Sequence, residues 1–162
     1  MHIRELNEND ARPFYDCLKA IDQETEYMMF EPDERVWHED GMHERLRNKD
    51  NLIIGAMVGE KIVGFLSAER GAYRRNRHSA YIVVGIQKEY QHQGIGTGFF
   101  QLLDDWARQN QISRLELTVE IPNTAAIQLY KKRGFVIEGI KKSSMVVRGK
   151  NRDEYMMAKL YG

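Results

Sequence analysis

The apolar and polar positions of this chain change period several times, and each change marks an element. His2 to Leu6 reads as a short strand. Asp10 to Asp22 reads as a helix, with Asn9 or Asp10 placed to cap it. Asp33 to Asn48 reads as a second helix, on the surface because of its charge. Leu52 to Val58 and Lys61 to Glu69 are apolar and β-rich, and Gly59-Glu60 sits where a two-residue hairpin turn would sit. Ala80 to Ile86 (AYIVVGI) is the most apolar strand candidate and belongs mid-sheet. The period then lengthens. Ile95, Phe99, Leu102, Leu103 and Trp106 recur at i, i+4, i+7, i+8 and i+11, one face of a helix. Leu115 to Val119 alternates as a strand. Asn123 to Arg133 is a short amphipathic helix that Gly134 ends as a C-cap glycine. Phe135 to Ile140, extendable to Val147, and Glu154 to Leu160 read as closing strands. This order predicts a mixed α/β sheet, with a parallel pairing inside the block from Ala80 to Arg133.

Length and composition narrow the class without naming a function. The 162 residues predict a single domain, 1–162, long enough for a sizeable core. Hydrophobic residues at 42% and charged residues at 30% exclude wholesale disorder. Lys plus Arg number 24 and Asp plus Glu number 24, and this balance argues against a dedicated nucleic-acid or membrane-surface protein. The single cysteine, Cys17, excludes a disulfide framework and a cysteine zinc cage. The polar start MHIRELNEND predicts no signal peptide, and no apolar run approaches the roughly 20 residues that span a bilayer. The expected setting is cytoplasmic.

The richest chemistry lies in Gln91-His92-Gln93-Gly94-Ile95-Gly96-Thr97-Gly98, between the strongest strand and the strongest helix. Glycines and a threonine at a helix start bring bare backbone N–H groups together along the helix dipole, which is a phosphate cradle. The alternative is a strand-to-helix turn whose glycines serve close packing. Two nucleotide motifs fail here. G-x-G-x-x-G would need glycine where Phe99 stands, and G-x-x-x-x-G-K-[ST] has no match. The pattern Q-x-x-G-x-G does match, at Gln91, Gly94 and Gly96. Downstream, Asn123 to Phe135 reads N-x-x-A-x-x-L-Y-x-x-x-G-F. Together the two blocks resemble the GCN5-related N-acetyltransferase (GNAT) family, and the order of elements fits that family over the whole chain.

The resemblance implies a mixed, splayed sheet of about seven strands flanked by about four helices. It implies a direct transfer of acetyl from acetyl-CoA to a primary amine in a ternary complex, with no metal. Acetyl-CoA would fill a notch in the sheet. Its pantetheine arm would meet Val84, Gly85 and Ile86, and its pyrophosphate would meet Gln91, His92, Gln93, Gly94, Ile95, Gly96 and Thr97. Gly85 within an apolar strand independently suggests a bulge or close backbone approach, or a packing glycine under a helix. Tyr130 takes the place of the general acid for the leaving thiolate, with a core tyrosine as the alternative. Asn123 is a natural helix N-cap and, by resemblance, also a polar contact to the cofactor arm. The strand from Ser79 to Ile86 holds no carboxylate, so the general base does not carry over. Glu120, at the carboxyl end of the next strand, is the first candidate, against a solvated strand-end acid. Glu24 and Glu26 follow, also as acceptor contacts, and a water-mediated base or an amine that arrives partly deprotonated is equally open. A non-catalytic acetyl-CoA-sensing module would keep the same cradle. Dimers are common in the family.

Charge is unevenly spread. Asp22 to Asp40 holds eight acids against one arginine, and Lys131 to Arg152 holds eight basic residues against one acid. An acidic wall would attract a cationic acceptor, such as a polyamine or a basic peptide N-terminus, while the basic stretch would suit the phosphates of CoA. Solvated faces are the plainer explanation of both. His38 and His43 lack the spacing of a metal pair on one helix face. Cys17 reads as buried rather than nucleophilic, and Arg70, Arg74, Arg75 and Arg77 as a solvated turn.

Overall fold

Gly59, at φ +61°, turns β2 (Leu52–Val58) back into β3 (Lys61–Arg70), and this hairpin seeds one half of the sheet. The computed structural model describes residues 1–162. The other strands are β1 (His2–Glu5), β4 (Ser79–Ile86), β5 (Arg114–Glu120), β6 (Val136–Val147) and β7 (Lys150–Leu160). The helices are α1 (Ala11–Glu24), α2 (Glu39–Arg47), α3 (Ile95–Gln109) and α4 (Thr124–Lys132). The seven strands run in the order β1-β2-β3-β4-β5-β7-β6, so β4 stands in the middle as its apolar run predicts. The β4–β5 pair is parallel, while β1–β2, β2–β3, β5–β7 and β6–β7 are antiparallel. The expected mixed sheet of seven strands with four helices is the one found.

The chain forms two compact units: residues 1–69 with 83–106, and residues 70–82 with 107–162. In the first, Phe14, Cys17, Leu18 and Ile21 of α1 pack with Ile53, Met57, Ile62 and Phe65, and the Phe14 and Phe65 rings meet edge-on at 5.5 Å. Gly98 belongs to this packing: a Cβ there would stand 2.5 Å from Ile3 Cδ1. In the second, Leu115, Leu117, Val119, Ile127, Phe135, Met157 and Ala158 are buried. The parallel β4–β5 register covers Ser79↔Arg114, Ala80↔Leu115 and Tyr81↔Glu116.

Two local expectations need correction. The second helix begins at Glu39, not Asp33. The residues between α1 and α2 make other contacts instead. Arg35 donates to the fully buried carboxylate of Asp22 through Nε at 2.6 Å and through its second terminal nitrogen at 3.1 Å. Tyr15 donates its hydroxyl to the Arg35 carbonyl, and Gln23 donates its amide to the Pro32 carbonyl. A helix over 33–38 would break these long-range contacts. Second, neither Asn9 nor Asp10 caps α1 with its side chain. Asn7 caps a short 3-10 turn over Glu8–Asp10, and the Asp10 carboxylate accepts from Arg4 at 2.7 and 2.8 Å and from the Asn7 N–H at 2.8 Å.

Candidate active site

The first unit carries the glycine turn. Gln87, buried at the exit of β4, donates its backbone N–H to the Val63 carbonyl at 2.9 Å. A short 3-10 turn, Lys88–Tyr90, follows. Gln91 then folds back and donates its amide to the Ile86 carbonyl at 3.1 Å, tying the turn to the strand end. His92 (φ +61°) and Gly94 (φ +83°) bend the backbone through the left-handed region into α3. The first ladder bond runs from the Gly98 N–H to the Gly94 carbonyl, which places the N–H groups of Ile95, Gly96 and Thr97 ahead of the ladder, at the positive end of the helix dipole. Gln91, His92, Gln93, Gly94 and Thr97 are exposed, and Ile95 is buried and anchors the helix.

The glycines of this turn divide by cause. Gly94 has open space around a would-be Cβ, so its glycine serves the positive φ, whereas Gly98 serves the approach to Ile3. The packing reading therefore applies to Gly98 and not to Gly94. Gly85 has a packing reason as well: a Cβ there would stand 3.0 Å from Phe65 Cε1 and 3.1 Å from Ile21 Cδ1. Val84, Gly85 and Ile86 are half-buried. Glu24, exposed at the end of α1, accepts the Lys88 N–H at 2.6 Å, so one of its oxygens fastens α1 to the β4 exit. Glu26 is exposed two residues further on. Burial pushes the Cys17 thiol up to about 12, which keeps it protonated and unreactive.

The second unit carries the remaining site residues. Asn123 Oδ1 accepts the Ala126 N–H at 3.4 Å and caps α4. Tyr130, on α4, is 9% exposed and lies against Phe135 with ring centroids 5.9 Å apart. Burial, and after it the neighbouring Tyr81, push its hydroxyl well above the ordinary tyrosine range. Tyr81 shares a 2.7 Å hydrogen bond with Thr118 on β5. Glu120, two residues beyond Thr118, is 3% exposed and is no solvated strand-end acid. Arg152 donates to its Oε1 at 3.2 Å, and its Oε2 accepts no hydrogen bond. Sequence reasoning missed Arg152, Tyr81 and Thr118. None lies in either motif block, and only strand pairing brings them beside the motif residues.

A glycine turn opening a helix, then a strand and an Asn-capped helix bearing a buried tyrosine, match the family model described as Acetyltransferase (GNAT) family over residues 9–135. The chain belongs to the GNAT acetyltransferase family. This GNAT protein is 28% identical to the L-amino acid N-acetyltransferase AaaT of Escherichia coli (strain K12) over 135 residues, 80% of this chain and 78% of that one. It is also 28% identical to the N-alpha-acetyltransferase RimI of Mycobacterium tuberculosis over 134 residues, 83% and 81% of the two chains. A crystal structure of a GNAT-family acetyltransferase from Streptococcus pneumoniae superposes with a TM-score of 0.93 at 30% identity, covering 99% of both chains. The protein is an acetyl-CoA-dependent N-acetyltransferase. Gly94 turns the backbone through a positive φ at an exposed helix N-terminus, the kind of terminus that attracts anionic groups.

Proposed function

We propose that this enzyme acetylates a cationic primary amine, with Glu120 as general base and Tyr130 as general acid, all within one catalytic domain. The carrying observation is the contrast between two buried proton carriers of the second unit. Tyr130 holds its proton, and Glu120 keeps an oxygen that no protein donor occupies. Acetyl-CoA supplies the acetyl group as a thioester. Gln91, His92, Gln93, Gly94, Ile95, Gly96 and Thr97 hold its pyrophosphate, Val84, Gly85 and Ile86 offer backbone to the pantetheine arm, and Asn123 adds a polar contact. Glu24 and Glu26 stand on the acceptor side.

The amine must present a lone pair, so the ammonium gives one proton to Glu120, which passes it to solvent. The nitrogen then forms the C–N bond as the C–S bond breaks. Tyr130 gives its proton to sulfur, and the second proton lost by nitrogen restores the tyrosine. The seven acids of the 22–40 segment other than Asp22 are all exposed, which supports a cationic acceptor. No helix is long and apolar enough to cross a membrane. A cytoplasmic setting fits the use of acetyl-CoA.

The test is release of CoA thiol from acetyl-CoA across butylamine, spermidine, free amino acids and peptides with open N-termini. Preference for the cationic acceptors is expected, and turnover confined to neutral or anionic ones overturns the acceptor assignment. Gly96→Trp should abolish acetyl-CoA binding by a folded protein, and calorimetric binding equal to wild type would remove the cradle from that turn.

A further inference from the structure

Glu120 on β5 stands directly opposite Glu154 on β7 in the antiparallel register. Residues so paired share a face, with Cβ atoms about 4.5–5.5 Å apart. Both carboxylates are buried, at 3% and 9% exposure. Around them, Arg152 reaches Glu120 Oε1 at 3.2 Å, and Ser144 donates its hydroxyl to Glu154 Oε1 at 2.8 Å. Lys141, the β6 partner of Glu154, is exposed. Like charges facing each other across a sheet are unfavourable. A buried carboxylate oxygen without a donor is costlier still. Glu120 Oε2 is such an atom. A structure that keeps this arrangement is short of one cation bearing N–H donors.

We propose that Glu154 and Glu120 together receive the acceptor's primary ammonium group, with Arg152 as the positioning residue that turns Glu120 so that Oε2 faces it. An alkylammonium brings three donors and one positive charge. Those donors fill Glu120 Oε2 and reach Glu154, and the charge offsets the carboxylate that Arg152 leaves unmatched. The placement also suits transfer. Thr118, two residues before Glu120 on the same face of β5, holds the Tyr81 hydroxyl at 2.7 Å, and Tyr81 is the neighbour that acts on Tyr130. Glu154 thus selects protonated primary amines over uncharged analogues and over quaternary ammonium groups, which have no N–H. Neither Arg152 nor Glu154 lies within the residues the family model matches.

The inference rests on Glu120 facing the acceptor, so two variants separate the two ideas. Glu154→Gln should raise the KM for butylamine and spermidine about 10- to 100-fold, the size of a lost charge-assisted hydrogen bond. KM for acetyl-CoA should not move, and the inhibition constant of 1-butanol should stay put. Binding of butylammonium followed by NMR, which needs no turnover, should weaken equally, while butyltrimethylammonium binds neither protein. An amine KM within about twofold of wild type, or a fall in Tm with no change in that KM, overturns the dyad and leaves Glu154 as a hairpin residue. Should Glu154→Gln not fold, Glu154→Asp, which keeps the charge and withdraws it by one methylene, reads the same KM. In Glu120→Gln, a raised amine KM with unchanged kcat would sink the base assignment and leave the dyad standing, whereas an unchanged amine KM overturns the dyad as well.

Discussion

Tyr130 shows how one residue's surroundings set its chemistry. Burial first, and Tyr81 second, raise its hydroxyl above the ordinary tyrosine range, so it keeps its proton until charge develops on a neighbouring group. Tyr130→Phe keeps the ring against Phe135 and removes the proton. Turnover should fall about 100-fold or more, with the acetyl-CoA dissociation constant unchanged, and an unaltered rate with chemistry limiting would take Tyr130 out of the mechanism. The same shift bears on stability. The folded protein holds this proton at pH values where the unfolded chain has lost it, near pH 10 and above. The contribution is therefore complete below about pH 10 and is lost as pH rises through the folded value. Between pH 8 and pH 11 wild type should therefore lose more stability than Tyr130→Phe, read from unfolding curves of both proteins at each pH. Asn123 and Tyr130 were readable from motif spacing. The burial of Glu120 was not, because it depends on Arg152 and Glu154 in a strand more than thirty residues away.

Among the elements, the link between α1 and α2 is decided by one ion pair. Asp22 is fully buried and Arg35 nearly so, and their contact pins the residues from Thr25 to His38 in a non-helical course. Removing one partner strands the other without compensation. Asp22→Ala should cost about 3–5 kcal/mol, read as a fall in the denaturant midpoint at unchanged m-value. A cost under about 1 kcal/mol would mean that the pair behaves like a surface bridge. Helix α3 offers a second contrast. Gly98→Val drives a side chain into Ile3 and should lower Tm with little effect on acetyl-CoA affinity in the protein that remains folded. Gly94→Val has room for the side chain but strains a φ of +83°, so it should weaken acetyl-CoA binding more than it lowers Tm. Equal effects of the two on both readouts would cancel the division of labour within the turn.

At the scale of the whole molecule, a net charge of zero hides two opposed blocks. Asp22 and Arg35 neutralise each other inside the fold, and the seven remaining acids of 22–40 are exposed, a formal −7 facing solvent. If this surface steers the acceptor, kcat/KM for spermidine should fall between ionic strengths of about 0.01 and 0.15 M, as the screening length shrinks from about 30 to 8 Å. A neutral acceptor should show no such slope. Equal slopes for both would identify the acidic block as a solvated face without a steering role.

Local order was legible in the sequence because its causes are local. Helical and strand periods, the Gly59 turn, the Asn123 cap and the glycine spacing after Gln91 each act within a few residues, and together they placed the seven strands and four helices and both motif blocks. The end of the acidic link was misread because its conformation is set by Asp22 and Tyr15, 13 and 20 residues from Arg35 along the chain. The roles of Gly94 and Gly98 separate only once Ile3 is seen beside α3. The pairing of Glu120 with Glu154, and of Glu154 with Ser144, comes from the register of β5, β6 and β7, including the irregularity between Lys141 and Met145. Side-chain period determines which residues can share a face; strand register, a long-range property of the folded sheet, decides which of them meet.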